Sequence, residues 1–192
     1  MPDALQSLRD AAELAQTFAT PTVAEAIQRI AAVIARSVRG GGKVLVCGNG
    51  GSLCDAAHFA EELTGRFRAD RPAIPAIALT DPGHLTCVAN DYGFEAVFSR
   101  AVEALGRPGD VLVALSTSGN SPNIIRAVAS ARANGVLVVT LLGKGGGTMS
   151  RTSGAAEVEL IAPGLTADRI QELHMLALHT IVELVEAELY PA

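Results

Sequence analysis

Apolar and polar residues follow two different rhythms along this chain. In the first forty residues the apolar positions return at helical spacing. Leu5, Leu8, Ala12, Leu14 and Phe18 form one stripe, and Val23, Ala26, Ile27, Ile30, Val33 and Ile34 form another. This predicts helices over 3–18 and 20–38, divided at Thr20-Pro21-Thr22. After residue 42 the apolar residues gather into short unbroken runs. Lys43–Cys47, Ala76–Leu79, Val111–Leu115, Val136–Leu141 and Val158–Ile161 read as strands. Helical segments fall between and after them, at 52–65, 83–90, 93–105, 122–134 and 166–188. Continuous apolar strands alternating with helices imply a parallel sheet covered on both faces. The expected architecture is α/β: one domain over 1–192, a three-layer α/β/α sandwich around a five-stranded parallel sheet. The two N-terminal helices are expected to form an appendage of the kind that packs on another subunit. Gly143–Thr148 is expected to be only a flexible loop.

Composition narrows the class. The chain has 192 residues, of which 49% are apolar, enough for a single sizeable core. Its net charge of −5 gives no electrostatic footprint for nucleic acid. With no Trp and 4% aromatics, the chain lacks the rings for base-stacking platforms or a sugar-polymer cleft. No apolar run is long enough to span a membrane, and Met1–Gln6 lacks the basic flank and apolar core of a signal peptide. Cys47, Cys54 and Cys87 read as free, mostly buried thiols of a reducing compartment, and the expected location is the cytoplasm.

Ligands of such sheets bind at the C-terminal ends of the strands. Two polar turns fall there. Ser116-Thr-Ser-Gly-Asn-Ser121 follows the third strand and opens a helix at Pro122. Small hydroxyls and a glycine at a helix mouth, with its unpaired N–H groups and partial positive charge, suit a phosphomonoester. Gly48-Asn-Gly-Gly-Ser52 follows the first strand. It has neither the dinucleotide glycine spacing nor the lysine of a nucleotide-binding loop. It suits close backbone approach to a small hydroxylated ligand.

His58 and Glu62 stand four apart on the helix leaving that turn, so they share a face. Either or both can bind a metal, or the carboxylate can act as a base; taken alone, a surface ion pair is the ordinary explanation. Glu61 points to another face. On the last helix Gln171 and His179 are two turns apart, about 12 Å along the axis and roughly 80° around it. They meet at one ion only at full stretch, a strain that a site assembled from two subunits would ease. His84 and His174 read as satisfied structural histidines.

Taken together, Gly48–Ser52, His58–Arg66, Asn90–Phe94, Ser116–Ser121 and Asp168–Glu172 with His179 resemble the sedoheptulose-7-phosphate isomerases of the SIS (sugar isomerase) fold. The resemblance covers nearly the whole chain, with Leu53 as a mild departure where a polar or small residue is usual. It implies isomerisation of sedoheptulose 7-phosphate to D-glycero-D-manno-heptose 7-phosphate through an enediol. It implies Ser116, Thr117, Ser118 and Ser121 as the phosphate cradle. Asn49, Gly50, Gly51, Arg66, Asn90, Asp91 and Gln171 would line the sugar. Glu62 and His179 would be the acid/base pair, and His58, Glu62, Gln171 and His179 would hold one zinc ion per subunit. The assembly implied is a homotetramer with shared active sites. Two other readings compete: a non-catalytic SIS-fold adaptor that binds a replication initiator, and another sugar-phosphate isomerase. The adaptor needs none of the four zinc ligands that the resemblance implies, and an arabinose-5-phosphate isomerase usually carries a regulatory tail for which this chain has no room.

Overall fold

A computed structural model describes residues 3–152, 154 and 156–191. Two helices lead, α1 (Ala4–Phe18) and α2 (Pro21–Arg39). Then β1 (Val44–Cys47), α3 (Gly51–Thr64), β2 (Ala76–Ala78), α4 (Pro82–Tyr92) and α5 (Val97–Leu105) follow, a 3₁₀ turn joining the last two. The chain continues through β3 (Val111–Ser116), α6 (Pro122–Ala133), β4 (Leu137–Gly143), α7 (Gly147–Arg151), β5 (Val158–Ala162) and α8 (Ala167–Leu189). All five strands are parallel, in the order β2-β1-β3-β4-β5.

Successive residues of a strand point to opposite faces, and the two cores follow from that. Val44, Val46, Val111, Val113 and Leu115 face a layer made by α2, α3 and α8. Leu45, Cys47, Leu112 and Ala114 face a layer made by α4, α5 and α6. A strand buried on both sides has no polar alternation to show, hence the continuous apolar runs.

The appendage is smaller than expected. Helix α2 belongs to the core: Ile27, Ile30, Ala31, Val33 and Ile34 are buried, and the helix packs along α8. Its start is fixed by Thr20, whose hydroxyl accepts from Val23 N–H at 3.3 Å, and by Pro21 in the first turn. Only α1 stands off, with Phe18 as its single buried residue and Leu5 and Leu8 exposed. The glycine-rich stretch is also more ordered than a loop. It folds into a 3₁₀ turn and then α7, because Asn120 Oδ1 accepts from both Thr148 N–H and its hydroxyl, each at 2.8 Å.

The thiols divide differently from expectation. Cys47 is buried in the sheet, where burial pushes its pKa up to about 12. Cys54 and Cys87 lie on outward helix faces and are exposed in the single chain. His84 and His174 are structural, as expected. His84 Nε2 lies 2.9 Å from Val97 O and His174 Nε2 3.0 Å from Leu142 O. Burial holds the His174 imidazole below its ordinary pKa, against the opposing effect of that hydrogen bond.

Candidate active site

The strand order reverses between β1 and β3: the chain runs outward to β2 on one side and to β4 on the other. A crevice opens at such a switch point, beyond the strand ends. Cys47 pairs with Ala114 in the register, so the glycine turn after β1 and the serine turn after β3 emerge side by side. Asn49 and Asn123 tie the two together. Each amide donates to the other's carbonyl oxygen, at 2.9 and 2.8 Å.

The helices leaving these turns, like α5, α7 and α8, have no side-chain cap at their mouths. Asp3, Thr20 and Asp81 cap α1, α2 and α4 with their own oxygens. Ser121 makes no such bond at α6, nor does Gly50 at α3. At α6 Pro122 brings no N–H and Ile124 N–H donates to Asn123 Oδ1 at 3.0 Å, so the backbone capacity for an incoming anion rests on Asn123 N–H and the turn before it. Within the serine turn the hydroxyls are not equivalent. Ser116 is buried; its Oγ accepts from Gly119 N–H at 3.1 Å and sits 3.2 Å from Ser121 Oγ. It shapes the turn from within. Thr117, Ser118 and Ser121 are half-buried at its rim. Gly119 adopts φ +62°, and a side chain there would collide with the Gly146 carbonyl behind it. The α7 region thus buttresses the turn, with Met149 N–H donating to Gly119 O at 3.0 Å.

The chemistry-bearing side chains meet between α3 and α8. Glu62 Oε1 lies 3.2 Å from His58 Nε2 and 4.0 Å from His179 Nε2. One donor atom from each of the three lies within 4.8 Å of the others. The two imidazoles meet edge to face at 5.1 Å, and Phe67 stacks on His179 at 5.8 Å. Glu61, next to Glu62, is exposed on another face. Gln171 packs its amide against Gly51 and donates to Ser52 Oγ at 3.4 Å.

The remaining expected residues are more peripheral. Arg66 is exposed just beyond α3. Asn90 and Asp91 are exposed at the end of α4, Asn90 Nδ2 donating to Asp91 Oδ1 at 2.7 Å. Among the described residues no hydrogen bond joins either to the two turns.

Two groups went unnoticed in the sequence. Asn123 is buried, and an amide on the inner face of an apolar helix was its only signal. Asp55 lies one turn before His58. Its Oδ2 is buried without a partner, and burial pushes its pKa up to about 6 against the opposing charge of His58.

The SIS domain model matches residues 8–143. The chain is 54% identical over 184 residues to the phosphoheptose isomerase of Pectobacterium atrosepticum, covering 95% of this chain and 94% of that one. This chain belongs to the phosphoheptose isomerase family. Solved phosphoheptose isomerases share its whole architecture. That of Francisella tularensis superposes with a TM-score of 0.86 at 36% identity, over 94% of this chain and 95% of its own. That of Neisseria gonorrhoeae gives 0.82 at 39% identity, over 95% and 94%. These phosphoheptose isomerases match it over 94–95% of their own length.

Proposed function

We propose that this chain interconverts sedoheptulose 7-phosphate and D-glycero-D-manno-heptose 7-phosphate, an aldose–ketose isomerisation. The observation that carries the reading is the Glu62 carboxylate set between two imidazoles, beside a crevice whose helix mouths are uncapped. The phosphate binds at the mouth of α6, held by Thr117, Ser118, Ser121 and free N–H groups, with Ser116 holding the turn in shape. The sugar lies along Asn49, Gly50 and Gly51, with Arg66, Asn90, Asp91 and Gln171 at its edges. Its C1–C2 end then reaches the α3–α8 junction.

The reaction moves a proton from C1 to C2. One group takes the carbon-bound proton, an enediol forms as the C2 carbonyl is protonated, and the proton returns at C2 as C1 becomes the carbonyl. A carboxylate and an imidazole can share this work near neutral pH. Glu62 and His179 are assigned to it.

The trio also fits zinc. Two imidazole nitrogens and a carboxylate oxygen are among the donors this ion takes, and they already converge. His58, Glu62 and His179 would hold it. Gln171, whose amide lies 3.4 Å from Ser52 Oγ, is the fourth donor assigned to the ion. A bound zinc would stabilise negative charge on the enediolate oxygens.

A homotetramer with shared active sites is part of the same proposal. Its support is the apolar surface left on the single chain. Leu5 and Leu8 are exposed on α1, and a cleft of about 550 Å³ runs between the α1–α2 junction and α8, lined by Phe18, Val23, Ile27, Leu176 and Leu184. Phosphorylated sugars are intracellular metabolites, which supports the cytoplasm as the place of work.

The decisive experiment is incubation with sedoheptulose 7-phosphate and NMR detection of an aldoheptose 7-phosphate. No aldose product from folded protein supplied with zinc would overturn the reading. Light scattering across a dilution series, with activity followed in parallel, checks the assembly; a fully active monomer would refute the shared site.

A further inference from the structure

The segment after α3 is laid along α8 residue by residue. His179, Glu183 and Glu186 stand at positions i, i+4 and i+7, on one face of α8. The Phe67 ring stacks on the His179 imidazole at 5.8 Å and 29°. Arg68 places its guanidinium 4.9 Å above the Phe67 ring and pairs with Glu183 at 2.9 Å. Arg71 is almost wholly buried and pairs with Glu186 at 2.7 Å. Its remaining N–H groups turn to the end of α3, donating to the carbonyls of Glu62 at 2.6 Å, Leu63 at 2.8 Å and Gly65 at 3.0 Å.

Those carbonyls are the ones a helix end leaves without an internal partner. One guanidinium therefore closes the C-terminus of the helix that carries His58 and Glu62 and fastens it to the helix that carries His179. The His179 ring has two aromatic neighbours, an edge-to-face contact with His58 and the stacked ring of Phe67.

We infer that Phe67 and Arg71 are positioning residues for the acid/base pair: Phe67 orients the His179 imidazole, and Arg71 sets the turn bearing Glu62 against α8. The inference rests on the assignment of Glu62 and His179 to proton transfer. Neither Phe67 nor Arg71 is given a contact with substrate. Their effect is on geometry, and a misplacement of about 1 Å at a reacting group costs about a hundredfold in rate.

The test compares Phe67→Leu, which keeps an apolar side chain but removes the ring, with Phe67→Tyr, which keeps the ring. Kinetics are measured well below each protein's melting temperature. Phe67→Leu is expected to lower kcat about tenfold to a hundredfold. Its KM should stay near the original value, because the phosphate turn is untouched. Phe67→Tyr should retain nearly full kcat. An unchanged kcat in Phe67→Leu, or an equal loss in Phe67→Tyr, overturns the inference. Should Phe67→Leu fail to fold, Arg71→Lys replaces it. That change keeps the charge facing Glu186 but loses the fork that holds the α3 carbonyls, and should lower kcat about tenfold at a KM near the original; an unchanged kcat there overturns the inference. Glu62→Gln and His179→Asn are run alongside. If either retains turnover, the acid/base assignment falls and takes the inference with it. If both lose turnover while Phe67→Leu does not, the inference alone falls.

Discussion

Asn49 and Asn123 exchange two amide hydrogen bonds across the crevice, at 2.9 and 2.8 Å. They are 74 residues apart in the chain, and they join the turn proposed to hold the sugar to the helix proposed to hold its phosphate. Each side chain commits one N–H and one oxygen lone pair to the other, so the distance between the two turns is set before any ligand arrives.

Asn123→Ala should therefore weaken binding without touching substrate. It leaves the Asn49 amide without its partner at a half-buried position, a loss of about 1–3 kcal/mol in folding stability. KM should rise more than kcat falls. Asn49→Ala and the double variant complete the cycle, read by denaturant unfolding and steady-state kinetics. Simple additivity of the two single effects would show that the pair does not act as a unit.

Glu62→Gln should remove turnover while leaving the fold intact, a loss of about a hundredfold or more for a member of an acid/base pair. Glu61→Gln, one residue away on an exposed face, should be far milder. Equal losses in both, or in neither, would sink the assignment.

The serine turn should separate into two kinds of position. Ser118→Ala and Ser121→Ala should each raise KM for the phosphorylated sugar, by the loss of a hydrogen bond to a charged group worth about 1.5–3 kcal/mol. Ser116→Ala should instead lower stability, because its buried hydroxyl accepts from Gly119 N–H. Inorganic phosphate should compete with substrate; a failure to compete would place the phosphate elsewhere.

Asp55 should make stability depend on pH in an uncommon direction for a carboxyl group. Burial raises its folded pKa to about 6 from 3.8, so the folded state binds the proton more tightly than the unfolded chain. Its contribution is complete below about pH 3.8 and is lost as the pH rises through about 6. Because the residue is partly open to water, the loss is about 1 kcal/mol, less than the full shift would give. Asp55→Asn should flatten that part of the profile and melt higher than the original at pH 7.5. Thermal melts from pH 4 to 8 decide it, and parallel profiles for the two proteins would refute the assignment.

Much of this molecule was legible before folding. The five strands and the principal helices appear as runs and stripes because a strand buried on both faces must be apolar throughout, while a helix on a sheet must be apolar on one side. The uncapped serine turn was legible too, since hydroxyls and a glycine between a strand and a helix have few other uses. His58 and Glu62 were legible as a pair because helical spacing alone puts them on one face. The α7 helix was not: three successive glycines carry no helical signal, and its order comes from Asn120, 28 residues away from Thr148. Nor was the place of α2 in the core, because a stripe of apolar residues does not say what will cover it.

The sequence by itself determined the layers, the two turns and the residue types that proton transfer and phosphate binding require, all of which depend on neighbours within a few positions. Tertiary structure alone decided which groups meet. Only the packing of α3 beside α8 brings His179 to Glu62 and Gln171 to Ser52. Only the β1–β3 register sets Asn49 against Asn123. Local spacing fixes the direction of a side chain on its own element, but the separation of two elements is set by how their buried faces fit, and that is a property of the folded whole.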